Sequence, residues 1–167
     1  MTDVDPSLDQ YVMRRPTEAD HARIAPVLNA WWGGRNMQDL LPRLFFQHFT
    51  GTSTVAETSL GDIAGFLVGF VSQDDPEVGY IHFVGVHPDH RGDGLGACLY
   101  ERAFDDFRSR GCTTVKAVTS PVNTGSLAFH ASMGFTRIAD PSTGAETWPD
   151  YDGPGGDRVV LSRSLSV

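Results

Sequence analysis

The chain has 167 residues, a formal net charge of −8 at pH 7 and a pI near 5.0. This acidic balance argues against a nucleic-acid partner, which requires a basic face, and no apolar run approaches the roughly twenty residues that span a membrane. The N-terminus lacks the apolar segment of a signal peptide, and the two cysteines, Cys98 and Cys112, form no metal or redox pattern. We therefore expect one cytoplasmic domain over residues 1–167, with residues 1–10 as a loose lead-in, no metal, and no membrane or nucleic-acid partner.

The first predicted elements are a short strand and a capped helix. Residues 11–15 are a strand candidate, and Thr17 with Asp20 has the spacing of a capping box. Apolar residues then recur at helical spacing at Ile24, Val27, Leu28 and Trp31. Pro26 lies inside this helix and is expected to kink or shorten it, and Gly33-Gly34 is expected to end it.

A second helix is predicted from Met37 to Phe49, interrupted at Pro42. Residues 52–57 and 62–72 then form two strands of a hairpin. A polar turn at residues 73–77 leads into the central strand of the chain.

That central strand, Tyr80 to Val86, runs into a glycine-rich loop. Pro88 cannot donate to a strand ladder, so the strand stops near it. Glycines at positions 92, 94 and 96 allow turns that a Cβ would forbid, and an apolar stripe from Leu95 onward predicts a helix that starts inside the loop. Free backbone N–H groups at a helix N-terminus, with the charge of Arg91 beside them, form an anion site. Such a loop suits a pyrophosphate held by main-chain donors.

The remaining elements alternate between strands and helices. Gly111 ends the loop helix, residues 113–119 form a strand, and a helix then runs to Met133-Gly134. A short strand at residues 135–138, a long loop at 139–156 and a closing strand at 158–165 complete the chain. The order predicts a mixed α/β or α+β sandwich in which helices cover a mainly antiparallel sheet.

Two motifs in this chain carry a family resemblance. Arg91-Gly92-Asp93-Gly94-Leu95-Gly96 resembles the R/Q-x-x-G-x-G/A signature of the GNAT N-acetyltransferase superfamily, whose loop holds the pyrophosphate of acetyl-CoA. The stretch from Asn123 to Phe135 resembles that family's later N-x-x-A/S-x-x-x-Y-x-x-x-G-F motif. The resemblance covers roughly residues 79–135 and implies the GNAT fold: a mixed, mainly antiparallel central sheet flanked by helices, with splayed fourth and fifth strands and the pantetheine in the gap.

Other readings of the glycine loop are weaker. A Rossmann fingerprint needs G-x-G-x-x-G, a spacing that Gly92, Gly94 and Gly96 do not have. A Walker loop needs G-K-S/T, which is absent from the sequence. The remaining alternative is a tight strand-to-helix turn that uses glycine for packing alone.

The resemblance implies acetyl-CoA as acyl donor and a set of residues that bind it. Main-chain groups at Val84 and Val86, which share a strand face by alternation, would pair with the pantetheine and polarise the thioester carbonyl. Asn123 would bond the pantetheine amides or cap its helix, and Ser126 would donate to the cofactor or sit on the surface. Phe129 is assigned to the cofactor, with a core position as its alternative. The pyrophosphate loop comprises Arg91, Gly92, Asp93, Gly94, Leu95, Gly96 and Ala97.

The catalytic assignments depart from the family pattern at one position. His130 stands where the family has the tyrosine that protonates the leaving thiolate. A histidine donates a proton near neutral pH more readily than a tyrosine, so we predict that His130 is the acid, with a structural role as the alternative. Tyr80 and His82 are the other catalytic candidates. His82 is assigned either as the base, directly or through a water, or as a satisfied core histidine.

The acceptor side of the site is the least defined. Trp32 and Arg35 form either an aromatic and cationic lip over the acceptor or a plain helix end, and Trp148 lies in the long loop that we expect to border the acceptor. The predicted function is acetyl transfer from acetyl-CoA to a primary amine of a small molecule or peptide. A non-catalytic acyl-CoA-binding module is the alternative, and a homodimer is left open.

Overall fold

The computed structural model describes residues 8–166, so most of the lead-in expected at residues 1–10 lies outside the described residues. The helices are α1 (Glu18–Trp31), α2 (Phe45–His48), α3 (Leu95–Ser109) and α4 (Thr124–Ser132). The strands are β1 (Tyr11–Arg14), β2 (Thr54–Thr58), β3 (Ile63–Val71), β4 (Val78–Val86), β5 (Thr114–Thr119), β6 (Thr136–Ile138), β7 (Thr147–Trp148) and β8 (Arg158–Ser164). Short 3-10 turns occur at Gln38–Leu40, Thr50–Thr52 and Pro88–His90.

The strands form one hydrogen-bonded order, β1-β2-β3-β4-β5-β8-β6, with β7 paired to β8. β1 with β2, β2 with β3, and β8 with β5, β6 and β7 are antiparallel, whereas β4 and β5 are parallel. This mixed, mainly antiparallel sheet with flanking helices confirms the predicted fold class. The parallel register joins only Val78 to Tyr80 with Thr114 to Lys116, the short ladder that splayed strands leave.

Contacts divide the chain into two units: Met1–Phe70 with His82–Asp106, and Val71–Ile81 with Phe107–Val167, each described here within residues 8–166. The first unit has an aromatic and aliphatic core built on the buried stripe of α1. Ile24, Leu28 and Trp31 pack there with Phe66 and Phe83, among others. The predicted capping box is present at Thr17 and Asp20, so the start of α1 follows from its sequence.

The second unit is built around β5 and β8, which pair over six residues each. The start of β4 adds to this ladder, and Phe107 at the end of α3 packs directly under Gly79. An ideal Cβ at Gly79 would lie 2.5 Å from the ring of Phe107, so the glycine makes room for the aromatic side chain.

Several predicted boundaries are wrong. The helix predicted from Met37 to Phe49 is instead a 3-10 turn and the four-residue α2, because Pro42 breaks the segment between them. The end of α1 is as predicted: the helix continues past Pro26 to Trp31 and is followed by Gly33 and Gly34, both with positive φ. The predicted loop at 139–156 contains β7, a two-residue strand that is too short to leave a sequence pattern.

Candidate active site

The glycine loop joins β4 to α3 inside the first unit. Gly92 and Gly94 have φ of +88° and +81°, the left-handed region that favours glycine. A Cβ at either position would meet nothing within 4 Å, so backbone conformation rather than packing calls for these glycines. The first hydrogen bond of the helix joins the Cys98 N–H to the Gly94 carbonyl. The N–H groups earlier in the loop come before the hydrogen bonds of the helix. The loop therefore has the geometry of an anion site.

Arg91 is held by backbone carbonyls. Its Nε donates to the Val86 carbonyl at 3.1 Å and its Nη2 to the Trp31 carbonyl at 2.5 Å. Helix α1 has no basic residue in its own last turn, so Arg91 supplies the cation that a helix C-terminus favours. The positive charge predicted beside the loop is that of Arg91. Its hydrogen bond to the Trp31 carbonyl also joins the loop to the end of α1. Asp93 is exposed on this loop.

Trp32 packs against the end of β4. Its ring meets Phe83 edge-on at a centroid distance of 5.3 Å, and the Arg91 guanidinium lies 6.0 Å from the Trp32 ring centroid. Gly85 leaves space for this contact, since a Cβ there would approach Trp32 to 3.0 Å. Arg35 is exposed on the turn after Trp32. The first unit thus places Trp32 beside Arg91 of the glycine loop. The assignment of Trp32 and Arg35 as a lip over the acceptor stays a prediction.

His82 contacts the segment between the helices. Its Nε2 lies 2.6 Å from the Leu40 carbonyl, and its ring stacks on Phe45 at 4.3 Å. A carbonyl only accepts, so Nε2 carries the hydrogen and the lone pair of neutral imidazole is on Nδ1. Burial lowers the pKa of His82, outweighing the opposing effect of this hydrogen bond. A neutral imidazole with a free electron pair on Nδ1 meets the chemical requirement for a base.

Tyr80 belongs to the second unit and is a poor base. Burial raises the pKa of Tyr80 to about 12, with Tyr151 and Asp152 raising it further and Arg158 opposing them. The phenol therefore keeps its proton at neutral pH, and its chemistry is that of a hydrogen-bond donor.

Helix α4 is capped by the predicted residue. The Asn123 Oδ1 accepts from the Ser126 N–H at 3.1 Å, so Asn123 caps the helix. Its bond to the pantetheine amides stays a prediction, since a cap and a cofactor contact can coexist. The Ser126 hydroxyl accepts from the Thr119 hydroxyl at 3.0 Å, which ties the start of α4 to the end of β5. Phe129, in the middle of α4, meets the ring of His130 at 5.9 Å.

His130 is buried on α4 with 5% of its surface exposed. Its Nδ1 lies 2.8 Å from the Ser126 carbonyl, and its ring meets Phe135 edge-on at 5.2 Å. Nδ1 must donate to that carbonyl, so proton donation elsewhere requires a second proton on Nε2. Burial lowers the pKa of His130 and opposes that protonation. The acid role remains a prediction with this added condition.

Trp148 is fixed on β7 within the second unit. Its indole Nε1 donates to the Ile138 carbonyl at 2.8 Å, and its ring meets Tyr151 edge-on at 5.7 Å. The loop that it belongs to is thus tied to β6 as well as β8.

The predicted residues fall into two groups. The first unit holds Trp32, Arg35, His82, Val84, Val86 and the loop from Arg91 to Ala97, and the second holds Tyr80, Asn123, Ser126, Phe129, His130 and Trp148. Sequence reasoning did not identify the contact of Arg91 with the Trp31 carbonyl, because no local pattern signals a partner so distant in the chain. Within residues 8–166 no group of three or more His, Cys, Asp or Glu side chains could hold a metal, and no helix is long and apolar enough to cross a bilayer.

Comparison with known proteins defines the class. Residues 18–135 match the model of the acetyltransferase (GNAT) family, more than half of the chain. The protein therefore belongs to the GNAT acetyltransferase family.

Individual relatives are similar over part of their length. An L-2,4-diaminobutyric acid acetyltransferase of Nocardia farcinica is 31% identical over 66% of this chain and 59% of its own. A mycothiol acetyltransferase of Thermobispora bispora is 36% identical over 47% of this chain and 29% of its own. The first match thus covers about six tenths of that relative's length, and the second covers less than a third of its relative's length. The diaminobutyrate acetyltransferase EctA of Paenibacillus lautus, solved with L-2,4-diaminobutyric acid and coenzyme A, shares the fold at a TM-score of 0.69 and 20% identity, over 94% of this chain and 96% of that one.

Proposed function

We propose that this protein is an acetyl-CoA-dependent N-acetyltransferase that acts on a primary amine of a small molecule. The observation that carries the proposal is the loop at Gly92 and Gly94, whose left-handed glycines face open space at the start of α3. This loop lies inside the segment that matches the GNAT family. The relatives named above are named for diaminobutyric acid and mycothiol, which favours a small-molecule acceptor over a peptide.

The reaction needs four contributions, and this chain offers a candidate for each. The amine nitrogen attacks the thioester carbon, the C–S bond breaks, and the thiolate takes up a proton. We assign pyrophosphate binding to the backbone N–H groups that follow Gly94, and carbonyl polarisation to the backbone of Val84 and Val86. His82 accepts the first proton of the ammonium at Nδ1, so that the neutral amine attacks. Protonated His130 gives a proton from Nε2 to the departing thiolate, and the second proton of the nitrogen passes to solvent as the amide forms.

A non-catalytic acyl-CoA-binding module is the second candidate. One observation favours it: His130, in place of the family's tyrosine, is buried and hydrogen-bonded to its own helix, and burial lowers its pKa. In that case CoA would bind without turnover.

The cofactor loop is tested by a substitution at Gly94. A valine there would be strained by the positive φ and would place a branched side chain between the backbone donors and the phosphates. We expect Gly94→Val to weaken CoA binding at least roughly tenfold, measured by titration calorimetry.

The matched control is Gly111→Val at the other end of α3. Gly111 has φ of +86° and, like Gly94, nothing within 4 Å of an added Cβ, so it imposes the same strain away from the loop. Unchanged CoA affinity in Gly94→Val, or an equal loss in both variants, would count against the loop as the binding site.

A further inference from the structure

The side chain of Asn29 joins the end of α1 to the segment that contacts His82. Its Oδ1 accepts hydrogen bonds from the N–H groups of Met37 and Gln38 at 2.8 and 2.9 Å. Both partners are donors, so the amide oxygen must face them, and the two bonds use both of its lone pairs. An asparagine side chain commonly bonds to neighbouring backbone, whereas this one reaches residues eight and nine positions further along the chain.

The backbone of Asn29 shapes the same connection. Its carbonyl accepts from the N–H groups of Trp32 and Gly34 at 3.2 and 2.8 Å. Gly33 and Gly34 have φ of +65° and +88°, the left-handed conformation with which a chain turns away at the end of a helix. Asn29 therefore holds the start of the connection through its carbonyl and the end of it through its side chain, all within the first unit.

The 3-10 turn at Gln38–Leu40 depends on such an anchor. It has three residues, none of them buried, and a helical turn this short is not stable by itself. Leu40 is 44% exposed, whereas Leu41 is buried in the core. The bonds from Asn29 at the start of the turn and the side chain of Leu41 after it thus fix the Leu40 carbonyl between them.

The Leu40 carbonyl selects the tautomer of His82. The Nε2 of His82 donates to this oxygen at 2.6 Å, and the ring stacks on Phe45. Without this acceptor a neutral imidazole exchanges its hydrogen between the two nitrogens, so the fraction with a free electron pair on Nδ1 falls. The ring would also lose one of the two contacts that fix its orientation.

We propose that Asn29 is a positioning residue for His82, acting through the turn at Gln38–Leu40 and the Leu40 carbonyl. This proposal rests on the proposed acetyltransferase function, in which His82 takes a proton from the ammonium at Nδ1. Asn29 would take no part in the proton transfer itself. Its loss would displace the base, which lowers kcat, and would leave the cofactor loop as it is.

The test is a double-variant cycle with acetyl-CoA and L-2,4-diaminobutyrate as substrates. Asn29→Ala removes the acceptor of both N–H groups and keeps a good helix former at that position. We expect kcat to fall roughly tenfold, with KM for acetyl-CoA unchanged. In the His82→Phe background Asn29→Ala should lower kcat no further, because its effect passes through His82. Asn29→Asp keeps the oxygen acceptor and should retain most of the wild-type kcat.

Thr58→Val is the matched control. The Thr58 hydroxyl accepts from the N–H groups of Leu60 and Asp62 at 3.3 and 3.2 Å, so this variant also removes an acceptor of two backbone donors from a turn of the first unit. It should leave kcat unchanged. An equal loss of kcat in Thr58→Val and Asn29→Ala would overturn the proposal. A further loss on adding Asn29→Ala to His82→Phe would do the same, because Asn29 would then act on stability alone.

A second measurement does not depend on turnover. A neutral histidine carries hydrogen on one of its two ring nitrogens, and long-range ¹H–¹⁵N spectra show which; the signals missing in His82→Phe are those of His82. The wild type should carry the hydrogen on Nε2, and Asn29→Ala should move both ring nitrogens towards the averaged values of exchanging tautomers. That result without turnover would sustain the positioning of His82 and contradict the acetyltransferase. Turnover with unchanged His82 signals in Asn29→Ala would overturn the positioning role alone.

Discussion

The proposed proton transfer to the thiolate depends on the imidazole of His130. Its Nδ1 donates to the Ser126 carbonyl, which leaves Nε2 as the only nitrogen that can carry the transferred proton. Burial lowers the pKa of His130 below its ordinary value of 6.5. The donating form is the imidazolium, and its population falls as the pH rises through that lowered pKa.

This sets the sign of the pH dependence. We expect the pH profile of kcat for the wild type to have a limb below pH 6.5, along which kcat falls as the pH rises. His130→Phe should remove that limb and lower kcat roughly a hundredfold. CoA affinity should stay unchanged, because the phosphates are assigned to the loop.

The control for this variant is His21, a partly buried histidine of the first unit. The Nε2 of His21 lies 3.0 Å from the Leu41 carbonyl, so His21→Phe removes a comparable hydrogen bond from the first unit. If His130→Phe kept the wild-type kcat and pH profile, His130 would be structural, and water would be the proton source.

Sequence reasoning could identify the residues whose conformation depends on their neighbours in the chain. The cap at Thr17 and the left-handed glycines of the loop depend on neighbours within a few positions, and both are where the sequence indicated. Neighbours across the sheet could not be predicted in this way: Tyr80 and Ser162, which lie opposite Lys116 in the register, come from distant strands. The carbonyl contacts of Arg91 and His82 are equally non-local.

At the scale of elements, the errors in the predicted secondary structure occur where a proline interrupts a periodic pattern or where an element is very short. The residues from Met37 to Phe49 have a helical apolar stripe, but Pro42 lacks the N–H that would continue a helix, and the segment folds as a turn and a single helical turn. β7 has two residues and takes its conformation from pairing with β8. Neither outcome is encoded in the local pattern.

The packing of α3 against β4 within the second unit supports a stability prediction. A methyl group at Gly79 would lie 2.5 to 2.7 Å from the ring atoms of Phe107, which is fully buried. Such a ring cannot move without disturbing the core. We expect Gly79→Ala to lower the free energy of unfolding by about 1–3 kcal/mol, measured by urea denaturation.

Gly125 provides the matched control for this substitution. It lies inside α4, and the nearest atom to an added Cβ is 3.9 Å away, so Gly125→Ala should raise stability by roughly 0.5–1 kcal/mol. A Gly79→Ala variant as stable as the wild type would mean that Phe107 does not pack under Gly79.

On the scale of the whole molecule, the order of elements was sufficient to predict the fold. A strand, helices, a three-strand meander and alternating helices and strands occur as expected, and the sheet is mixed and mainly antiparallel. The family match at residues 18–135 agrees with the two motifs that carried the resemblance. The acceptor could not be predicted from the sequence, because the two motifs bear on the acyl donor alone.

Amine-dependent release of CoA by the wild-type protein tests the central claim most directly. Acetyl-CoA and a panel of small primary amines, amino acids among them, are supplied, the free thiol is followed with a thiol reagent, and the acetylated product is identified by mass. The account predicts thiol release in equal amounts with an N-acetylated product for at least one amine of the panel. CoA binding in calorimetry without amine-dependent thiol release across the panel would contradict it and favour the binding module.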